Sequence, residues 1–259
     1  AQRDKVVVSN IEHVHIKEDI VVSNVRRDGG QRFVLVGPGK KTGWRAHFLE
    51  YGTKKDVYEA AKDINKFNST PFINAAKRFE KLVNARPWQI NYSEDDSYNA
   101  AYLFTEGKTA MLLTGSWVSS AIDSNDSKVK GNVEVIPFPN IDKSQAVGGY
   151  VDTYVISKNS VISQEEEYIN LYIDLMQSIA NISCDELGIG VPVYNNQEID
   201  KDKFPTLYQS IQINKDKKYH PAYDQIFDAA ITNRYYDLLS DLMLGEITAD
   251  KFINALSKE

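Results

Sequence analysis

Residues 104–117 read FTEGKTAMLLTGSW, and Gly107-Lys108-Thr109 within them has the residue types of a phosphate-binding loop. Such a loop follows a strand and opens a helix, so that backbone amides and the helix dipole converge on the phosphates, and it needs an earlier glycine at a fixed spacing. Tyr102 occupies that glycine position, and the pattern here predicts a helix before Gly107 and a strand after it. The run GPGKKTG at 37–43 fails on spacing as well. Neither stretch is a nucleotide site. His13 and His15 would share one face of a strand, but a metal site needs further ligands at matching spacing and the sequence offers none. Solvated or packed histidines are the expectation, with no metal. Cys184 is the single cysteine, which excludes an internal disulfide, and it has no activating neighbour in sequence. The serines have no histidine partner nearby in sequence and the carboxylates are scattered. The expectation is a binding or structural protein, not an enzyme, with no cofactor.

The same stretch can instead present an aromatic. Gly107 lets the chain leave a helix in the left-handed conformation. The apolar run ThrAlaMetLeuLeu is expected to be a central strand. Thr114-Gly115-Ser116 then turns at its carboxyl end, where open α/β sheets place ligands. Trp117 stands where it could stack on a ligand, or where it could pack as a core residue capping the next helix.

Composition narrows the classes. With 259 residues and 42% of them hydrophobic, the chain can form one large domain or two smaller ones. A net charge of −6 argues against a nucleic-acid or membrane-surface binder, which wants a basic face. No apolar run approaches the ~20 residues of a membrane span. The opening AQRDKVVVSNIEHVHIKED has no charged-then-apolar signal pattern, so any secretion signal has been removed or never existed.

Two textures divide the chain. Up to about Lys55, short β-branched runs (KVVVSN, DIVVSNV, RFVLVGPG) and Asp28-Gly29-Gly30 predict strands and a hairpin. The pairs Arg26-Arg27 and Lys40-Lys41 read as solvated turn charges. From Asp56, Val57, Ala60, Ala61, Ile64 and Phe67 line one helix face, and Thr70-Pro71 caps and opens a second helix. SYNAAYLF is a third, ended by Gly107. TAMLLTG, NVEVIPFP and YVDTYVIS are strand-like. Ser163 and Glu166 have capping-box spacing before EEYINLYIDLMQSI. The runs FPTLYQSIQI, PAYDQIFDAAITNRYYDLLSDLML and TADKFINALSK read as helices, with Gly245 as a break and Thr248 as a cap.

The pattern F-x-E-G-K-x-A-M…G-x-W resembles the extracellular solute-binding proteins of sugar-importing ABC transporters, the family of maltose-binding protein. The likeness covers about residues 56–259. It includes the helices before the motif, VEVIPFPN, Gly148-Gly149-Tyr150, VISKNS, GIGVPVYNN and the closing LGEITADKFINAL. It implies an α/β fold of periplasmic-binding-protein-like type II lobes that close over a carbohydrate, an extracellular or cell-surface site, lipid-anchored in the parent family, and permease subunits as partners. It implies that Trp117 stacks on a sugar ring, whose apolar C–H face suits an aromatic plane. Gly148, Gly149 and Tyr150 match the ligand-facing glycine turn, and Asp152 is placed to accept from hydroxyls. Tyr235, Tyr236 and Trp88 are further aromatics for either stacking or packing. The family's long opening segment is not matched, so the first lobe is expected to be incomplete, preceded by a small β-rich segment over residues 1–55, and sugar affinity weakened or abolished.

Residues 9–55 resemble a second family, the tail-completion or head–tail joining proteins of long-tailed bacteriophages, through V-G-P followed by Ala46, Phe48, Glu50, Tyr51, Gly52 and Thr53. That likeness implies phage structural partners and a virion location. The alternative to sugar import is therefore a phage assembly protein, or a composite of the two pieces with no competent sugar site.

Overall fold

The structure, a computed structural model, describes residues 35–36, 51–85, 97–136, 145–147, 155–192, 197–220 and 226–258. A short strand β1 (Leu35–Val36) precedes helices α1 (Lys54–Lys62), α2 (Thr70–Asn84) and α3 (Ser97–Thr105). Then come β2 (Met111–Leu112), a short helix α4 (Ser119–Asp123) and β3 (Gln145–Val147). The chain continues through α5 (Glu166–Asn181), α6 (Pro205–Asn214), β4 (Lys218–His220), α7 (Ala229–Leu244) and α8 (Ala249–Leu256). β1 pairs parallel with β2, Leu35 opposite Met111, and β3 pairs parallel with β4, Gln145 opposite Lys218.

The main core is helical. α1, the turn at 64–68, α2, α7 and α8 bury Val57, Phe67, Phe72, Phe79, Leu239 and Phe252 together. Apolar residues three and four apart give each helix one such face. Phe67 meets the rings of Phe72 and Phe227 edge-on at 4.9 and 5.2 Å. Local chemistry sets the helix ends. Thr53 donates from its backbone N–H and its hydroxyl to the Asp56 carboxylate at 2.7 and 2.6 Å, opening α1. The Asp228 carboxylate accepts from Ile231 N to start α7, and Gly245, at φ +76°, ends it in the left-handed region. Thr248 caps α8 through Lys251 N, and Glu80 of α2 accepts from Ala249 N at 3.1 Å across the core.

Several sequence expectations change. α1 stops at Lys62 because Asp63 turns the chain, accepting from Asn65 N, and a tight turn follows. Ser69, not Thr70, is the cap of α2, one residue earlier than expected. Ser163 makes no capping box with Glu166: its hydroxyl donates to the carbonyls of Lys158 and Ser160, and Glu165 becomes the N-cap of α5. Residues 132–136 are not a strand; Val135 N donates to the Gln209 side chain instead of to a neighbouring strand. Residues 155–157 are irregular too. Of TAMLLTG only Met111 and Leu112 pair, and Met111 is half exposed, so the strand is not sealed on both faces. The N-terminal β runs, apart from Leu35–Val36, lie outside the described residues.

None of the 16 residues of α5 is fully buried among the described residues. Leu171 is 65% exposed, and Tyr168, Ile173 and Leu175 are about half exposed. The α/β fold thus leaves an apolar surface of α5 open.

Candidate functional site

The parallel pairing of β1 and β2 puts their carboxyl ends on one edge, the side on which open α/β sheets hold ligands. Beyond Leu112 the chain runs extended to Gly115 (φ −111°, ψ −179°) and then makes a single tight helical turn, Ser116–Val118, that leads straight into α4. Val118 N donates to Gly115 O across this turn. Val118 and Ile122 are drawn inward onto Ala101 and Phe104, forming a second small apolar cluster. Trp117 lies just before Val118 on the turn and therefore projects outward, 50% exposed. The benzo edge of the indole lies against Gly115: a methyl group there would stand 2.1 Å from Trp117 Cζ3 and 2.4 Å from Cη2. One part of the ring is seated on backbone and the rest is open.

The far end of α4 is clamped. Asp123 is buried and its carboxylate accepts from Thr206 N at 3.0 Å and Thr206 Oγ1 at 2.6 Å. Thr206 follows Pro205 in the first turn of α6, where backbone N–H groups lack helical partners and the dipole favours an anion. The aromatic turn is thus tied on one side to α3 and on the other to α6. Asp123→Ala should destabilise the protein by about 2–3 kcal/mol, because two buried donors lose a charged acceptor; urea unfolding measures it, and a loss under about 0.5 kcal/mol would contradict the clamp.

Glu106, of the Glu-Gly-Lys triplet, pairs with Lys128 at 2.6 Å, and Lys128 N donates to Thr105 O. Gly107 leaves α3 at φ +68°, as expected. Lys108 lies over the Tyr102 ring at 5.2 Å. The triplet therefore fastens the loop after α4 to the end of α3 and does not face a phosphate. The hydrogen bond from Lys128, with the attraction of Lys128 and Lys108, holds the Glu106 carboxyl below its ordinary range; the same bond pushes Lys128 up. A carboxylate depressed on folding stabilises above its unfolded pKa and loses that contribution as pH falls through the folded value. Urea midpoints should therefore show Glu106→Gln slightly less stable than the parent at neutral pH. The two should converge in acid, below the ordinary glutamate value; a gap unchanged with pH would refute the pairing.

The other expected site residues separate into two groups. Trp88, Gly148, Gly149, Tyr150 and Asp152 lie outside the described residues, as do His13 and His15. Tyr235 and Tyr236 lie in α7, away from the aromatic turn in sequence and in packing. Tyr235 is 0% exposed, with Phe252 and Tyr236 as ring neighbours, so it has no surface to offer a ligand. Tyr236 packs against the same cluster. Tyr235 is a core residue, because Tyr235, Leu239 and Leu242 fall on the buried face of α7, and Tyr236 is partly buried at the edge of that face. Cys184 is buried, and burial first, then Asp185, pushes its thiol up, which keeps it protonated and unreactive at neutral pH. Among the described residues no three His, Cys, Asp or Glu side chains group to hold a metal, and no helix is long and apolar enough to cross a membrane. Sequence reasoning missed Asp123 and Gly115. Asp123 gives no local signal, its partner being 83 residues away, whereas Gly115 was read only as a turn former.

The model of the bacterial extracellular solute-binding protein family matches residues 30–178. The match begins within the segment likened to phage joining proteins and takes in residues 46–53, which carried that likeness. The phage resemblance, with its composite and virion readings, is therefore not supported. No curated protein sequence matches the chain significantly. Among solved structures, one from a study of xylan utilization by the thermophilic bacterium Caldanaerobius polysaccharolyticus is 22% identical, with a TM-score of 0.73, over 87% of this chain and 60% of that one. A chitin oligosaccharide binding protein is 18% identical (TM-score 0.74; 87% and 59%). A Streptococcus pneumoniae solute-binding protein in complex with the blood group A-trisaccharide is 14% identical (TM-score 0.64; 87% and 58%). The chain spans about three-fifths of the length of these structures.

Proposed function

The chain belongs to the bacterial extracellular solute-binding proteins, and from that membership we propose that it is a carbohydrate-binding component of an ABC import system. It works outside the cytoplasm and passes its ligand to permease subunits. Ligand is held between lobes, and closure is driven by tighter binding to the closed form than to the open one. The protein binds and releases its ligand without transforming it.

The observation that carries this reading is Trp117: a half-exposed indole on a clamped turn at the carboxyl ends of a parallel pair. An exposed aromatic plane is well matched to the apolar face of a pyranose, with planar polar groups left to meet the hydroxyls. Gly149, Tyr150 and Asp152 are proposed to supply the facing contacts. Sugar ligands in the names of two structural neighbours, a chitin oligosaccharide and the blood group A-trisaccharide, support the ligand class.

Tryptophan fluorescence titrated with xylotriose, triacetylchitotriose and maltotriose tests the reading. A saturable change with at least one of them is expected. No response to any oligosaccharide would overturn it.

A further inference from the structure

We infer that Gly115 is a positioning residue whose missing side chain seats the Trp117 indole for stacking; this rests on Trp117 being the ligand platform. The backbone does not require glycine at this position. Its φ of −111° is ordinary extended backbone, open to any residue. What excludes a side chain is the ring itself, since a methyl would lie 2.1, 2.4 and 2.6 Å from Cζ3, Cη2 and Cε3 of Trp117. The chain places a second ring on a glycine in the same way, Phe204 on Gly188, where a methyl would stand 2.4 Å from Cδ1. There φ is +62°, so the backbone itself favours glycine, and Phe204 is buried. Interior packing accounts for that pair. At Gly115 the seated ring is half exposed and the backbone makes no demand, so the contact fixes the direction of a surface aromatic.

The indole is also the part that can yield. Its outer carbons are the far end of a side chain with two rotatable bonds, whereas the backbone of the turn is held by Val118, Ile122 and Asp123. Gly115→Ala should swing the ring out and leave the fold intact.

The test uses the full chain with Gly115→Ala, and Trp117→Phe as the spectral blank. Subtracting the blank from the parent isolates the near-ultraviolet circular dichroism and acrylamide quenching of Trp117. In Gly115→Ala, set against a Gly115→Ala/Trp117→Phe blank, that dichroism should fall by about half or more and quenching should rise, as an unseated ring samples more rotamers. Tm should stay within about 2 °C, in line with a surface substitution. The response to whichever of xylotriose, triacetylchitotriose or maltotriose binds should weaken about tenfold. An unchanged Trp117 difference spectrum overturns the inference, as does a large fall in Tm with the ring signal intact. If the parent itself answers to no sugar, the functional reading fails while the ring spectrum still decides the role of Gly115.

Discussion

Trp117→Ala should abolish the oligosaccharide response, or weaken it about tenfold or more, while leaving the unfolding midpoint almost where it was. Both halves follow from the ring's position. An aromatic seated on one side and open on the other exchanges its exposed area for sugar C–H surface on binding, and a central aromatic anchor of this kind commonly contributes about 2 kcal/mol. In the unliganded protein that same area is in water, so truncation removes little folding energy; Val118 and Ile122 beside it fill the apolar cluster and stay in place. Calorimetric titration and thermal unfolding of the same samples separate the two effects. Equal affinity in Trp117→Ala would remove the indole from the ligand site. A Tm drop of about 10 °C would assign it to the core.

The opposite pattern is expected for Phe252→Ala: a loss of about 3–5 kcal/mol of stability, the cost of emptying a fully buried aromatic site. Phe252 is completely buried in α8, with Tyr235 of α7 at 6.5 Å, and α8 is the helix that packs on both α2 and α7. Its seat cannot collapse easily, because Thr248 and Glu80 fix the start of α8 and Lys77 pairs with Asp250 at 3.2 Å. Against a typical total of about 5–15 kcal/mol, this leaves a protein near its unfolding threshold. Guanidinium unfolding reads the effect, and Leu244→Ala, half exposed in the neighbouring helix, is the control expected to change little. A change under about 1.5 kcal/mol at Phe252 would mean that the helical core is organised differently.

The helices were legible because their physics is local. The apolar spacing of α1, α2 and α8, the Pro at the start of α2, the Gly245 stop and the Thr248 cap are all satisfied within a few residues of where they are written. The aromatic turn was legible in outline for the same reason. Part of what failed depended on distant partners, and part on local alternatives. β3 and β4 are three residues each, too short for alternation to show, and exist because they pair with one another. Residues 132–136 have strand-forming side chains, but a glutamine far along the chain takes the Val135 N–H. Ser163 has the right spacing for a cap and a better pair of acceptors behind it. Tyr235 stood as an aromatic for either stacking or packing, and its spacing from Leu239 and Leu242 favours packing. The clamp at Asp123 was invisible, since a lone aspartate after a short apolar run is indistinguishable from a solvated one.

The bond between Glu80 and Ala249 joins groups 169 residues apart, and this has a consequence for how the molecule comes into being. A ribosome releases α1 and α2 long before α8, so the cover that α8 gives their apolar faces arrives only after the intervening residues have been made. Loop closure over such a distance is slow compared with helix formation. A growing chain therefore stays uncommitted over this interval, and the helical core closes only once α8 has been made.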